Sequence, residues 1–157
     1  MVYLRELDTA SIEGVLKLLF EVNALHHEGR PDLFKGGISK YDESELKARI
    51  GDKDNPIIVA HGEDGSVLGY VMLELEDKDE TRLKPACKTL YIDDLCVSSP
   101  HRGEGIGKSL YMKAKEIARQ MGCHNLTLHS WGLNGNATAF YEHLGMKVMF
   151  TCFEEVL

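Results

Sequence analysis

The sequence predicts an α/β protein: one central sheet of mixed strand direction, with helices packed against it. Strand-like and helix-like hydrophobic patterns alternate along the chain, which is typical of this class. The 157 residues, 43% of them hydrophobic and 27% charged, fit one globular domain of ordinary size. We therefore expect a single domain spanning residues 1–157, with about six to seven strands and about four flanking helices.

The first half of the chain contains the predicted elements up to the central hairpin. A strand is expected at residues 2–7. A helix should follow, because Asp8 offers an N-cap and apolar residues recur at helical spacing as far as Leu25. Residues 26–41, which contain several glycines and a proline, are expected to form a loop. A short helix and two strands of a hairpin complete this half, at residues 42–51, 56–61 and 66–75.

The second half begins with a charged loop at residues 77–85 and a strand at 89–97. A glycine-rich run follows that strand directly, and a helix is expected from about Gly105 to Met121 because Gly122 is a stop signal. The remaining predicted elements are a strand, a helix and a final strand or two, at residues 125–129, 134–144 and 147–156.

Composition excludes several classes of function. The net charge of −7 disfavours binding to nucleic-acid phosphates. Neither a signal peptide nor an apolar run of about 20 residues is present, so we expect no membrane association and a cytoplasmic location. No HExxH motif or CxxC pair occurs, so no metal site is expected. The cysteines are widely spaced and are expected to be reduced thiols: Cys87, Cys96, Cys123 and Cys152.

The run HRGEGIGKSL at residues 101–110 fails two common phosphate-binding motifs. A Walker A loop ending at Gly107-Lys108 would need its first glycine at the position of Arg102. A GxGxxG dinucleotide fingerprint would need its third glycine at Lys108 or at Leu110, depending on the register. The run does place glycines at the start of a helix, where unpaired amides and the helix dipole favour an anion such as a pyrophosphate.

Residues Arg102–Gly107 follow a third pattern, [RQ]xxGx[GA], between a strand and a helix. The acidic pair Asp93-Asp94 precedes this loop, as it does in a known family. Downstream, four residues match the pattern N-x-x-A-x-x-x-Y-x-x-x-G, with Met146 where the family usually has phenylalanine: Asn134, Ala137, Tyr141 and Gly145. On these residues the chain resembles the GNAT superfamily of acyl-CoA-dependent N-acyltransferases over nearly its whole length.

The resemblance implies a fold in which the strand before the loop splays from the next strand, and acetyl-CoA as co-substrate in that gap. The loop and the first turn of the helix would hold the pyrophosphate. The strand backbone would hold the thioester and pantetheine, and a backbone amide would polarise the thioester carbonyl. The residues so implied are Leu95, Cys96, Val97, Arg102, Gly103, Glu104, Gly105, Ile106, Gly107, Lys108, Ser109 and Asn134.

The same resemblance implies an attacking amine, a general base and an acid. Asp93 and Asp94 are the candidate bases, and Tyr141 is the candidate acid for the departing thiolate. Neighbours on a strand point to opposite faces, so only one aspartate should reach the cleft unless a bulge intervenes. The segment LYIDDL resembles the polyamine acetyltransferase branch, which favours Asp93. Cys96 lacks a catalytic Cys–His pattern and is expected to belong to the core.

The acceptor is expected to lie near the 26–41 loop, where His27, Glu28 and Phe34 could line a site for a cation. The acidic net charge leans toward a small cationic amine. Amines of proteins or peptides remain open as acceptors, and so does a non-catalytic acyl-CoA-binding sensor. Homodimers are common in proteins of this family, although no residue pattern here shows one.

Overall fold

Four strands of the sheet are antiparallel neighbours, and the fifth joins them in parallel. In the computed structural model, which describes residues 1–132 and 135–157, the strand order is β1-β2-β3-β4-β5. Each of the first four strands pairs with its neighbour in sequence, whereas β5 pairs in parallel with β4 after a helical crossover. The strands are β1 Tyr3–Glu6, β2 Ile57–His61, β3 Val67–Lys78, β4 Cys87–Val97 and β5 Asn125–Leu128.

Four α-helices are described, and local sequence signals set where two of them begin. Asp42 and Glu45 form a capping box, in which each side chain accepts a hydrogen bond from the other residue's backbone amide. Gly105 adopts a left-handed conformation immediately before the third helix. The helices are α1 Ile12–Gly29, α2 Glu43–Ala48, α3 Ile106–Gln120 and α4 Gly135–His143. Within the described residues, none of these helices has the length and apolarity needed to cross a bilayer.

Each face of the sheet buries its own hydrophobic cluster. One cluster packs β2, β3 and β4 against α3, and it includes Leu73, Ile92 and Leu110. The other packs the opposite face against α1 and α2, and it includes Val15 and Leu46. Because side chains alternate along a strand, these clusters report which residues of β3 and β4 face each helix layer.

Several predicted boundaries differ from the structure. Helix α1 continues through His26-His27 to Gly29, so the predicted loop is shorter than residues 26–41. Strand β3 runs to Lys78 and takes in the start of the predicted charged loop. The prediction of six to seven strands is wrong for the described residues, which form five.

The difference in strand number lies in residues 147–156, which were expected to add a strand or two. This segment is rich in apolar and β-branched residues, yet within the described residues it forms no ladder with the sheet. It is held instead through side chains: the ring of Phe150 lies 5.6 Å from that of His129, and Glu154 forms an ion pair with Arg30. Phe153 is 91% exposed. The pattern alone therefore does not supply a partner strand, on which strand formation depends.

Candidate active site

A β-bulge in β4 places both aspartates on the same face of the sheet. Met72 pairs with Asp94, but the next residue of β3, Leu73, pairs with Ile92. Asp93 is therefore the extra residue in β4, and the strict alternation of side chains is broken there. Asp93 reaches the segment between α1 and α2, and Asp94 reaches a tyrosine on the same side of the sheet. The sequence predicts that only one aspartate reaches the cleft unless a bulge intervenes. The bulge is present, and both side chains lie on the same side.

The Asp93 carboxylate has a partner on each oxygen. Lys40 Nζ donates to Oδ1 at 2.5 Å and to the backbone carbonyl of Asp93 at 3.2 Å. The hydroxyl of Tyr41 donates to Oδ2 at 2.8 Å. Burial, followed by this hydrogen bond, raises the pKa of Tyr41, so the phenol remains a donor at neutral pH. The carboxylate is thus a compact binding site for a cation beside an aromatic ring.

Asp94 lies deeper in the protein. Its Oδ2 accepts a hydrogen bond from the hydroxyl of Tyr70 at 3.0 Å. Burial raises the pKa of the Asp94 carboxyl, while the bond from Tyr70 and the nearby Lys40 act in the opposite direction. Burial also raises the pKa of Tyr70, and the negative charge of Asp94 adds to this effect. A nearly buried carboxyl group with a raised pKa in a cleft is typical of a functional site.

The final residues of β4 have a free edge. The ladder between β4 and β5 ends where Ile92 pairs with Leu128, so in the described part of the chain no strand lies beside residues 93–97 on that side. This is the splay that the family resemblance implies. It creates a slot bordered by the open edge of β4 and the start of α3.

Hydrogen-bond alternation identifies which amides face the slot. The amide of Ser98 donates to the carbonyl of Leu68 at 2.8 Å, so the backbone groups of Ser98 face β3. Backbone groups alternate along an antiparallel strand, so those of Cys96 also face β3, and those of Leu95 and Val97 face the slot. Of the three residues expected to contact the thioester and pantetheine, Leu95 and Val97 offer backbone groups there. Cys96 instead pairs with β3, and burial raises the pKa of its thiol to about 12.

The glycine loop leads from β4 into α3. Gly103 and Gly105 have φ angles of 84° and 82°, in the left-handed region that favours glycine. Among the described residues, apart from the chain neighbours, no atom lies within 4 Å of where a Cβ would stand on either glycine, so this space is open to a ligand. The side chain of Arg102 donates from Nε to the carbonyl of Val97 at 3.3 Å, which places its guanidinium over the slot.

The first turn of α3, at the end of this loop, begins with backbone amides that have no hydrogen-bond partner within the helix. The amide of Ser109 makes the first backbone hydrogen bond of the helix, to the carbonyl of Gly105, and the hydroxyl of Ser109 donates to the same carbonyl. The amides of Ile106, Gly107 and Lys108 precede the first intrahelical bond and point out of the helix. Glu104 is drawn aside toward His101, with 3.4 Å between Oε2 and Nδ1.

Gly107 allows α4 to dock close to the slot. A Cβ on Gly107 would lie 3.2 Å from Cζ of Phe140 and 3.6 Å from Cγ2 of Val97. The ring of Phe140 in turn contacts the ring of Tyr141, with centroids 5.0 Å apart. Burial raises the pKa of Tyr141, and the charge of Asp94 adds to this shift. Tyr141 is therefore a protonated phenol at neutral pH, within electrostatic reach of Asp94. Asn134, expected to contact the cofactor, lies outside the described residues.

The segment after α1 is tied back to that helix. The ring of His27 is hydrogen-bonded through Nδ1 to the carbonyl of Phe34 at 2.6 Å. Phe34 contacts the ring of His26 at 4.9 Å and that of Trp131 at 5.1 Å. Of the three residues expected to line the acceptor site, His27 holds the loop, Phe34 belongs to an aromatic row, and Glu28 is exposed at the end of α1.

Several residues around the acidic pair were not anticipated from the sequence. Lys40, Tyr41 and Tyr70 contact the aspartates although they lie 24 to 53 positions away in the chain. Only Tyr70 had a local signal, as a hydroxyl group in an otherwise aliphatic strand. Among the described residues, no group of three or more His, Cys, Asp or Glu side chains could hold a metal ion.

Known proteins are similar to this chain in sequence and in fold. A model of the acetyltransferase (GNAT) family matches residues 22–146. The glucosamine 6-phosphate N-acetyltransferase of Trypanosoma brucei brucei is 29% identical over 92% of this chain and 88% of its own length. The thialysine N-epsilon-acetyltransferase of Mus musculus is 30% identical over 91% and 81%.

Among solved structures, a mutant of the BH1408 protein of Bacillus halodurans superposes with a TM-score of 0.94 and 26% identity, covering 99% of both chains. The family model spans well over half of the chain, and it covers the acidic pair, the glycine loop and Tyr141. This protein therefore belongs to the acetyltransferase (GNAT) family and is an acyl-CoA-dependent N-acetyltransferase.

Proposed function

We propose that the protein transfers the acetyl group of acetyl-CoA to the primary amine of a small cationic molecule, by direct attack in a ternary complex. One observation carries the proposal. The Asp93 carboxylate already binds an ammonium group, that of Lys40, beside the open edge of β4. An acceptor amine bound in the same way would lie next to the outward-facing amide of Leu95.

The cofactor site fits the shape and charge of coenzyme A. The amides at the start of α3 and the open space at Gly103 and Gly105 suit a pyrophosphate. Arg102 and Lys108 add positive charge to the same region. The backbone groups of Leu95 and Val97 can pair with pantetheine as a strand would, and the amide of Leu95 can donate to the thioester carbonyl.

The proton path uses three residues. Asp93 lies within hydrogen-bond distance of an ammonium and serves as the base that takes the proton from the amine. Asp94, buried beneath it and bonded to Tyr70, keeps the local potential negative and orients the pair. Tyr141 gives a proton to the departing thiolate, and its raised pKa keeps it protonated until then.

The charge of the acceptor side favours a cationic amine over a sugar phosphate. The relative from Mus musculus is named for thialysine and the one from Trypanosoma brucei brucei for glucosamine 6-phosphate. Around the proposed amine position the carboxylates are Asp93, Asp94 and, through the hydroxyl of Tyr41, Glu74. Arg49 lies 3.6 Å from Glu74 and offsets its charge, so the negative charge at the amine position is that of Asp93 and Asp94. Two adjacent carboxylates disfavour a phosphate, so a lysine-like amine is the better match.

The test is release of free thiol from acetyl-CoA by the purified protein with a panel of thialysine, polyamines, glucosamine 6-phosphate and peptides. We expect turnover on the cationic amines, with kcat reduced by roughly 10²-fold or more in Tyr141→Phe. The Kd for coenzyme A, measured by calorimetry, should stay unchanged in that variant. Tight coenzyme A binding without turnover on any amine would instead favour the acyl-CoA sensor.

A further inference from the structure

Lys40 is unlike the other lysines that form ion pairs in the described residues. Its carboxylate partner, Asp93, is only 9% exposed, whereas the carboxylate partners of the other paired lysines are 38% to 65% exposed. Lys40 itself is 44% exposed, so its flexible side chain reaches from solvent into the candidate active site. An ion pair between two exposed side chains adds little stability. A pair with a nearly buried carboxylate, by contrast, holds the lysine amine at one defined position.

The backbone around Lys40 is held in place. The side-chain amide of Asn23 donates to the carbonyls of Lys35 and Ile38, at 2.7 and 2.8 Å. The hydroxyl of Ser39 donates to the carbonyl of Tyr41 at 2.7 Å. These bonds fix the chain on both sides of Lys40, so the amine is delivered to Asp93 by a well-ordered segment.

The amine also lies close to the slot. Lys40 Nζ contacts the backbone carbonyl of Asp93, two residues before Leu95. Two residues of a strand span roughly 7 Å. Rotation of the lysine side chain can therefore carry Nζ from Asp93 to a thioester carbonyl held at the amide of Leu95. The cation also lies 5.7 Å from the ring centroid of Tyr41, where an aromatic face stabilises it.

We propose that Lys40 is an acceptor in cis: the protein acetylates its own Lys40 Nζ. The inference rests on the proposed function and names one substrate of that same site. In the reaction, Asp93 takes a proton from the ammonium, and the freed lone pair attacks the thioester carbonyl carbon. The C–S bond breaks as the C–N bond forms, and the newly acylated nitrogen gives its second proton to water. The thiolate takes a proton from Tyr141, which regains one from water, and Asp93 releases its proton to solvent. Acetyl-CoA and the lysine ammonium thus give acetyl-lysine, coenzyme A and one proton.

Acetylation at Lys40 can occur once per chain, and it removes the positive charge that Lys40 places beside Asp93. The neutral amide cannot maintain the ion pair, so Asp93 is left with Tyr41 as its donor. The acetylated protein then offers its base to an external amine without competition from Lys40. The external reaction should accordingly show a lag that disappears after preincubation with acetyl-CoA.

The experiment incubates the full chain with acetyl-CoA, without any acceptor, and maps acetylated lysines by peptide mass spectrometry over time. Lys47 is the matched internal control, because it is 50% exposed and forms an ion pair of the same length with Glu43 on α2, away from the slot. We expect Lys40 to be acetylated at least about tenfold faster than Lys47, because a positioned amine gains from proximity. The rate constant should not depend on protein concentration.

Two variants define the outcome. Tyr141→Phe should slow acetylation at Lys40 but not at Lys47, and Lys40→Arg should remove the rapidly modified site without creating another. Equal rates at Lys40 and Lys47, or a rate at Lys40 that is unchanged in Tyr141→Phe, would mean non-enzymatic acetylation and would overturn the inference. If the amine panel supports turnover while Lys40 stays unmodified, the inference fails and the proposed function stands. If neither reaction occurs, both fail.

Discussion

In the proposed arrangement, β4 offers backbone groups to the cofactor on the slot side and side chains to the acceptor on the side of α1 and α2. The cofactor region consists of the outward amides of Leu95 and Val97 and the glycine loop before α3. The acceptor region consists of Asp93 and Asp94 with the lysine and tyrosines that contact them. A backbone site is sensitive to an added Cβ, while a side-chain site is sensitive to the loss of a functional group. The two regions should therefore respond to different kinds of substitution.

The largest effect is expected from Asp93→Asn. The amide keeps the size of the side chain but cannot take a proton, so kcat for an external amine should fall by about 10²- to 10⁴-fold. The KM for acetyl-CoA should change little, because the cofactor region consists of backbone. Steady-state kinetics with both substrates varied would measure this. Asp77→Asn, at an exposed acid of β3, is the control and should behave as the wild type. A matching rise in the KM for acetyl-CoA in Asp93→Asn would break the division between the two regions.

The converse test is Gly105→Ala. The left-handed φ of 82° means that alanine costs about 1–2 kcal/mol in free energy of unfolding. Gly65, in the turn between β2 and β3, has a φ of 81° and equally open surroundings, so Gly65→Ala should cost a similar amount. Only Gly105→Ala should also raise the KM for acetyl-CoA, by roughly tenfold, since the new methyl group occupies the space for the pyrophosphate. Equal kinetics for the two variants would remove the glycine loop from the cofactor site.

Asp94→Asn tests whether the ionised carboxylate of the deeper aspartate lowers the free energy of unfolding. Burial raises the folded-state pKa of Asp94 above its ordinary value of 3.8. Between the two values the native state binds more protons than the unfolded state, so stability falls as pH rises through this window and stays lower above it. The asparagine side chain does not ionise and still accepts a hydrogen bond from Tyr70. The variant should thus be the more stable protein at neutral pH, with the difference vanishing as the pH falls to about 4. Urea unfolding across pH measures this; lower stability of the variant at neutral pH would contradict it.

The smallest effect is expected from Tyr41→Phe. The change removes one hydrogen bond to Asp93 and keeps the aromatic ring under the cation. A hydrogen bond of this kind contributes about 0.5–1.5 kcal/mol, so the KM for the amine should rise only about two- to tenfold. Tyr3→Phe, on the exposed strand β1, is the matched control and should have no effect. A loss as large as that of Asp93→Asn would assign the proton transfer to Tyr41 instead.

The same division explains which parts of the site could be predicted from sequence. The glycine loop was predictable because backbone sites depend on contiguous residues, as in the run from Arg102 to Gly107. Lys40 and Tyr70 were not, because tertiary packing brings them to the aspartates from distant positions. The order of the elements up to α4 was confirmed. The last predicted strand was wrong because a run of apolar and β-branched residues does not identify the edge with which a strand must pair.

The bulge at Asp93 also constrains the length of the chain, independently of residue identity. β4 carries one residue more than β3 between Ile92 and Asp94, so the two ends of the strand are out of phase by one residue. Deleting Asp93 would let Ile92 and Asp94 pair with successive residues of β3, so the strand would become regular and the acidic pair would lose one member. We expect natural length variation to be accommodated in the 79–86 loop and in the loop that follows α1, and homologous chains to align without gaps from Leu90 to Gly107.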